Sequence, residues 1–189
     1  MNRNIKRLAV GSLMVSAMLL SGCTAMKVMM QRPFGSSKDV AYGNALWKQL
    51  EAKGYNSTKS VLFDGSLPHG TILEVVEGKI DGKTVVVKRN YRGEDITIDK
   101  VKNDRAKYLK AITVMAKRED GYDPQNQNWF YARYNADGSY YKKMGMLPLV
   151  GRVGKGMGEG AVTCISCHRS APDGDFRFVK DNDSRVTHI

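Results

Sequence analysis

Cysteine and histidine are scarce in this chain, with three of each in 189 residues. Three cysteines cannot staple a disulfide scaffold, and the one close pair has no second Cys or His pair at zinc-ligand spacing. Long apolar runs are also missing. The longest, over 8–20, is too short to span a bilayer comfortably. No arginine-rich stripe with interleaved aromatics occurs, which excludes nucleic acid as the expected partner. Internal repeats and low-complexity tracts are absent, so a repeat array is excluded as well. Glycine concentrates over 151–160, but that stretch lacks the strand–loop–helix setting and the Lys-Ser/Thr ending of a phosphate-binding loop. It reads instead as a flexible connector that approaches a bound group without side-chain clash.

What the chain does have is Cys164-Ile165-Ser166-Cys167-His168. This is the spacing of a c-type haem attachment site. Two thiols add across the two vinyl groups, and the two intervening residues set the sulfur spacing. The adjacent histidine then becomes the proximal iron ligand. A thioredoxin-like redox pair would need a βαβ setting, which the flanking sequence does not offer. The expectation is therefore one covalent haem c on Cys164 and Cys167, with His168 on the iron.

The N-terminus points to export. Arg3, Lys6 and Arg7 precede the short apolar run, and Leu20-Ser21-Gly22-Cys23 resembles a bacterial lipoprotein cleavage box. Cleavage there would leave Cys23 as the lipidated residue and account for the odd cysteine. Thr24 stands where an acidic residue signals inner-membrane retention, so an outer-membrane anchor facing the periplasm is expected. Residues 1–22 then form the signal peptide, 23–38 a tether, and 39–189 a single domain. Losing 1–22 removes three of 30 basic residues and none of 19 acidic ones, leaving a net charge of +8. Such a surface suits an acidic periplasmic redox partner or an anionic surface.

Periodicity supplies a coarse fold. Ala41, Ala45, Leu46, Leu50 and Ala52 predict a helix over 40–53, capped by Asp39, stopped by Gly54 and packed through Trp47 and Tyr55. Two β-rich segments, 71–76 and 83–88, predict an antiparallel hairpin with Asp81-Gly82 at its tip. Trp129-Phe130-Tyr131-Ala132-Arg133-Tyr134 reads as a strand, with a turn at Asp137-Gly138 and a return at Tyr140 and Tyr141. Segments 96–101 and 111–117 are ambiguous between strand and helix. A short helix over 161–169 carries the Cys pair and is ended by Pro172 and Gly174. The class is α+β: a mostly antiparallel sheet with an N-terminal helix and a C-terminal helix bearing the Cys-x-x-Cys-His motif.

The order of these parts resembles the cytochrome P-460 family and its relative cytochrome c′-beta. The matching stretches are His69-Gly70-Thr71 opening a strand, Gly121-Tyr122-Asp123-Pro124 ahead of Asn128-Trp129-Phe130-Tyr131, and the Cys164–His168 motif followed by Asp175 and Phe178. The resemblance implies a five-coordinate haem with an open distal side, a small nitrogen-containing ligand such as nitric oxide or hydroxylamine, and often a homodimer. One branch of the family oxidises hydroxylamine with a lysine cross-linked to the porphyrin and carries a Lys-Glu pair shortly after the Gly-Thr start. Here that region reads Glu74-Val75-Val76-Glu77, a departure that leaves Lys79, Lys83 and Lys88 as candidates for the cross-link. Glu74 is the candidate catalytic base. Val75, Val87, Phe130 and Tyr131 are candidates to wall the haem. A six-coordinate electron-transfer cytochrome is the alternative, with Met144, Met146, Met157 or His69 as distal ligand. His188 sits one residue from the end and is expected to fray.

Overall fold

The computed structural model describes residues 34–143, 145–157, 161–179 and 183–189. The expected signal peptide, Cys23, Met144 and the glycines at 158 and 160 lie outside the described residues.

Helix α1 spans Ser37–Ala52. Its cap is Ser36 and not Asp39, because one hydroxyl serves both ends of the contact. Ser36 Oγ accepts from the Asp39 amide at 3.1 Å and donates to Asp39 Oδ2 at 2.8 Å. Asp39 is buried in the first turn, where Tyr122 donates to it at 2.8 Å. The buried face of α1 is Gly43, Leu46 and Leu50, while Ala41, Ala45 and Ala52 are exposed. Gly43 is required there, because a Cβ would collide with the Tyr140 hydroxyl. Trp47 packs on Tyr134 with ring centres 4.6 Å apart, and Tyr55 is buried as expected.

Strands β1 (Leu62–Asp64), β2 (Ile72–Ile80), β3 (Lys83–Tyr91), β4 (Leu109–Lys117), β5 (Trp129–Tyr134) and β8 (Val150–Gly151) form a sheet in the order β1-β2-β3-β4-β5-β8. All these pairings are antiparallel. Strand β9 (Val186–His188) runs parallel to β2 beyond the end of β1. His188 is thus paired within a strand and not frayed. The β2–β3 hairpin turns at Asp81 (φ +50°) and Gly82 (φ +74°), the left-handed pair that a two-residue turn between twisted strands requires. A second small sheet pairs β6 (Lys142–Lys143) with β7 (Leu147–Pro148), while Tyr140 bridges back to Tyr134. Segment 111–117 is strand, and 96–101 resolves into α2 (Ile98–Asn103), followed by α3 (Arg105–Tyr108).

Strand alternation gives the sheet two different faces. One face packs Val76, Val85, Val87, Val114, Phe130 and Ala132 against Leu46 and Leu50 of α1. The opposite face carries Val75, Val86, Met115 and Tyr131 and packs against Phe34, Val153, Ile165 and Phe176. Ile165 belongs to α4 (Cys164–Arg169), the helix bearing the Cys-x-x-Cys-His motif. Packed chain reaches back to Phe34, which is 3 % exposed.

Candidate functional site

Helix α4 is short, and its first turn is fixed by a reciprocal cap. Thr163 Oγ1 accepts from the Ser166 amide at 3.1 Å, and Ser166 Oγ accepts from the Thr163 amide at 2.8 Å. Ser166, an intervening residue of the motif, therefore has a structural role. Positions i, i+3 and i+4 share a helical face, so Cys164, Cys167 and His168 line one cavity while Ile165 turns into the core. The part of the glycine-rich stretch from Gly151 to Gly154 is closely packed. Gly154, at φ +112°, lies so near the cap that a Cβ would reach within 2.5 Å of Thr163 Cβ, and Val153 O accepts from the Ile165 amide at 3.1 Å. The expected close approach is thus to the helix's own cap.

The loop before β5 holds α4 onto the sheet. Asp123, fully buried, pairs with Lys155 at 2.7 Å and accepts from Asn126 at 2.6 Å. Arg169 of α4 donates to Asn126 Oδ1 at 2.6 Å. Trp129 Nε1 donates to the Asp175 carbonyl at 3.2 Å. Asn126 and Arg169 were not legible as site-forming residues. They are far apart in the chain, and neither sits in a periodic segment.

The cavity has a volume of about 280 Å³ and lies on the α4 face of the sheet. Val86, Met115, Tyr131, Phe178 and Val179 give it apolar walls. Its charged lining is Lys88, Arg133, Lys143 and Arg177, with no carboxylate among the lining residues. Met115 was missed from the sequence; the alternation Ala111, Thr113, Met115 along β4 is the signal that would have found it. Of the expected wall residues, Tyr131 lines the cavity and Val75 lies on the same face, whereas Val87 and Phe130 pack on the opposite face against α1.

His168 is 6 % exposed, and its Nδ1 lies 2.7 Å from the Phe176 carbonyl. A carbonyl only accepts, so Nδ1 carries the proton and Nε2 keeps its lone pair, the state in which an imidazole ligates a metal. Phe176 adopts a left-handed backbone (φ +67°) at this contact. Burial pulls His168 down to about 4, against the opposing pull of the Phe176 contact. Burial also pushes the Cys164 thiol up to about 11. A thiol so protonated at neutral pH is unlike the acidic cysteine of a thiol–disulfide enzyme. Among the described residues, no group of three or more His, Cys, Asp or Glu gathers to hold a metal ion.

The half-buried His69 also lines the cavity, its ring centre 6.2 Å from that of His168. Burial pulls His69 down to about 3, with Lys88, His168 and Arg133 acting in the same sense and the Asn90 side chain opposing them. Met157 lines the cavity at 37 % exposure, and Met146 is 77 % exposed and outside the lining. Lys88 lines the cavity, and burial lowers its ammonium to about 8. Lys79 and Lys83 are exposed on the hairpin.

Glu74 is not at this site. Alternation turns it to the other face of the sheet, where it is fully buried. There it pairs with Arg89 at 3.0 Å and Arg105 at 3.4 Å, and accepts from Tyr91 and the Ser60 amide, each at 2.6 Å. It is a structural ion pair, and no catalytic base among these contacts reaches the cavity.

These residues fit a haem. Two thiols and a ligating imidazole share the lining, and no carboxylate lines the cavity beside Lys88, Arg133 and Lys143, as the propionates of the macrocycle need, while Arg177 is held by Glu77 and Asp175. Polar atoms on the same walls await a partner: Tyr131 hydroxyl and Asn90 Oδ1 are buried without a hydrogen bond. An antiparallel sheet carrying such a cavity defines a haem-binding cytochrome. The chain belongs to the Cytochrome P460 family, whose model matches residues 45–179, from within α1 to the segment beyond α4. No curated protein and no solved structure matches it.

Proposed function

We propose that this protein is a periplasm-facing monohaem c-type cytochrome, anchored by lipid on Cys23, that binds a small nitrogen species, most simply nitric oxide. Cys164 and Cys167 form the thioethers, and His168 is the proximal ligand. The observation that carries this reading is the convergence of the three on one cavity, with His168 Nδ1 held by Phe176 so that Nε2 is left to ligate. When bound, the haem would supply an iron that exchanges one electron and takes a small ligand. The chain's own residues wall the cavity with Val86, Met115, Phe178 and Val179, and Arg133 and Lys143 in the same lining would offset the propionates. A periplasmic redox partner and a second copy of the chain are its expected partners.

Lys88 favours a second reading, in which hydroxylamine is oxidised. It is the one of the three candidate lysines in the cavity, and its lowered basicity leaves more of the amine unprotonated at neutral pH.

The test is intact mass and absorption of the haem-loaded full chain. Mass should show one covalent haem, and the ferrous spectrum should change on adding nitric oxide. A chain without covalent haem, or a spectrum indifferent to nitric oxide, would overturn the proposal. Mass after proteolysis tests Lys88: a peptide joining it to the macrocycle supports turnover, and haem held by two thioethers alone excludes the cross-linked enzyme.

A further inference from the structure

We infer that Asn126, Gln127 and Trp129 form a clamp around His168, and that by fixing the Phe176 carbonyl against Nδ1 this clamp sets the strength of the iron–histidine bond and the reduction potential of the bound haem. The inference rests on the haem reading above and concerns only the His168 side of the iron.

Three side chains of one short stretch reach both partners of that hydrogen bond. Asn126 Oδ1 accepts at 2.6 Å from Arg169, the residue after His168 in α4. Gln127 Nε2 donates to the Gly174 carbonyl at 2.5 Å, and Trp129 Nε1 donates to the Asp175 carbonyl at 3.2 Å. The helix that carries His168 and the segment that leads into Phe176 are thus gripped from the same place. The 2.7 Å contact between His168 Nδ1 and the Phe176 carbonyl is therefore set by the clamp and not only by the chain running between them.

The clamp is itself braced. Lys117 of β4 donates to the Gln127 carbonyl at 2.7 Å and lies over the Trp129 ring, 4.3 Å from its centre. Beyond Phe176, Arg177 pairs with Asp175 at 3.0 Å and with Glu77 of β2 at 2.8 Å, which ties the same segment to the sheet.

Backbone conformation marks the two ends of the clamp. Gln127 (φ +51°), Asn128 (φ +58°) and Phe176 (φ +67°) are left-handed without being glycine. Such residues persist only where the surroundings over-determine them.

The consequence for the metal runs through the proton on Nδ1. A carbonyl that accepts this N–H pushes electron density toward Nε2, which makes the imidazole a stronger ligand and favours ferric over ferrous iron. A loosened carbonyl weakens the bond and raises the potential. Outer partners of a ligating histidine change metal affinity ~10–100-fold. A tenfold change in the preference for ferric iron is ~59 mV for one electron.

The experiment is redox titration of the haem-loaded full chain, with the iron–histidine stretch in the resonance Raman spectrum of the ferrous protein as a second readout. Trp129→Phe removes the indole N–H and keeps a ring in the core. Gln127→Gly removes an exposed side chain at a backbone conformation that glycine adopts freely, so it folds even if Trp129→Phe does not. Trp47→Phe, on the α1 face, is the control. Both clamp variants should raise the midpoint potential, by ~59 mV for a tenfold effect, and lower the stretching frequency, while Trp47→Phe leaves both in place. A purely structural role would reduce the yield of loaded protein and move neither quantity. Wild-type potential and stretch in loaded Gln127→Gly overturn the inference, whether or not Trp129→Phe folds. Covalent haem detected by mass then leaves the haem reading standing, whereas its absence from the wild type overturns that reading first and this inference with it.

Discussion

Glu74 illustrates how an acidic residue in a promising position becomes structural. Its carboxylate is fully buried and is matched by Arg89, itself 5 % exposed, with Arg105 at the edge. Removing one member of such a pair leaves an unmatched buried charge. Glu74→Ala should therefore cost about 3–5 kcal/mol in unfolding free energy, and Glu74→Gln less, since the amide still accepts from Tyr91 and Ser60. Because Glu74 lies on the α1 side of the sheet, the folded fraction should keep the wild-type haem spectrum. Denaturant unfolding with the spectrum as a second readout checks both; an altered spectrum in the folded Glu74→Gln variant would contradict the assignment. The sequence shows that Glu74 and Val75 point to opposite faces. It does not show which face holds the cavity, because Ser60, Arg89 and Tyr91 of β3, and Arg105 reach Glu74 from three separate places in the chain.

Among the elements, α4 depends most on its surroundings. Six residues cannot hold a helix by themselves, and tertiary packing supplies the rest. The cap at Thr163 is met by Gly154, whose φ of +112° and lack of a side chain are both needed. Gly154→Ala should loosen the cap and reduce covalent haem incorporation severalfold, whereas Gly121→Ala, where a Cβ meets nothing within 4 Å, strains only its own turn. Intact mass of the two variants after identical expression measures this, and equal haem loading would show that the cap does not limit attachment. Elements with a strong local signal were legible: the hairpin tip from Asp81-Gly82, β5 from its aromatic run, and the helix carrying the Cys pair. The cap of α1 was misread because Ser36 and Asp39 are both competent caps, and the local sequence does not say which one is buried by Tyr122. The ambiguity over 96–101 and 111–117 was real: Val101 anchors a helix and Met115 a strand, and each takes its form from the sheet and not from local periodicity.

At the scale of the whole molecule, folding must draw two neutral imidazoles out of water on one face of the sheet. His168 falls from its ordinary 6.5 to about 4, and His69 to about 3, chiefly through burial. A base whose basicity falls on folding binds more protons unfolded than folded between those values. Its stabilising contribution is complete above pH 6.5 and is lost as pH falls toward 4. A tenfold loss of proton affinity corresponds to about 1.4 kcal/mol. Between pH 7 and pH 4 the haem-free chain should therefore lose on the order of 3 kcal/mol through the buried His168, and less through the half-buried His69. Carboxylates contribute to the same loss, so the measurement needs His69→Asn and His168→Asn as references. Each should flatten the slope of unfolding free energy against pH in this window, and an unchanged slope in both would mean that the two rings are not held neutral by the fold. Haem bound as proposed would occupy the Nε2 lone pair of His168 that acid otherwise protonates. The loaded protein should then hold its stability to lower pH than the haem-free chain, and a gap that does not widen as pH falls from 6.5 toward 4 would show that iron does not protect His168 from protonation.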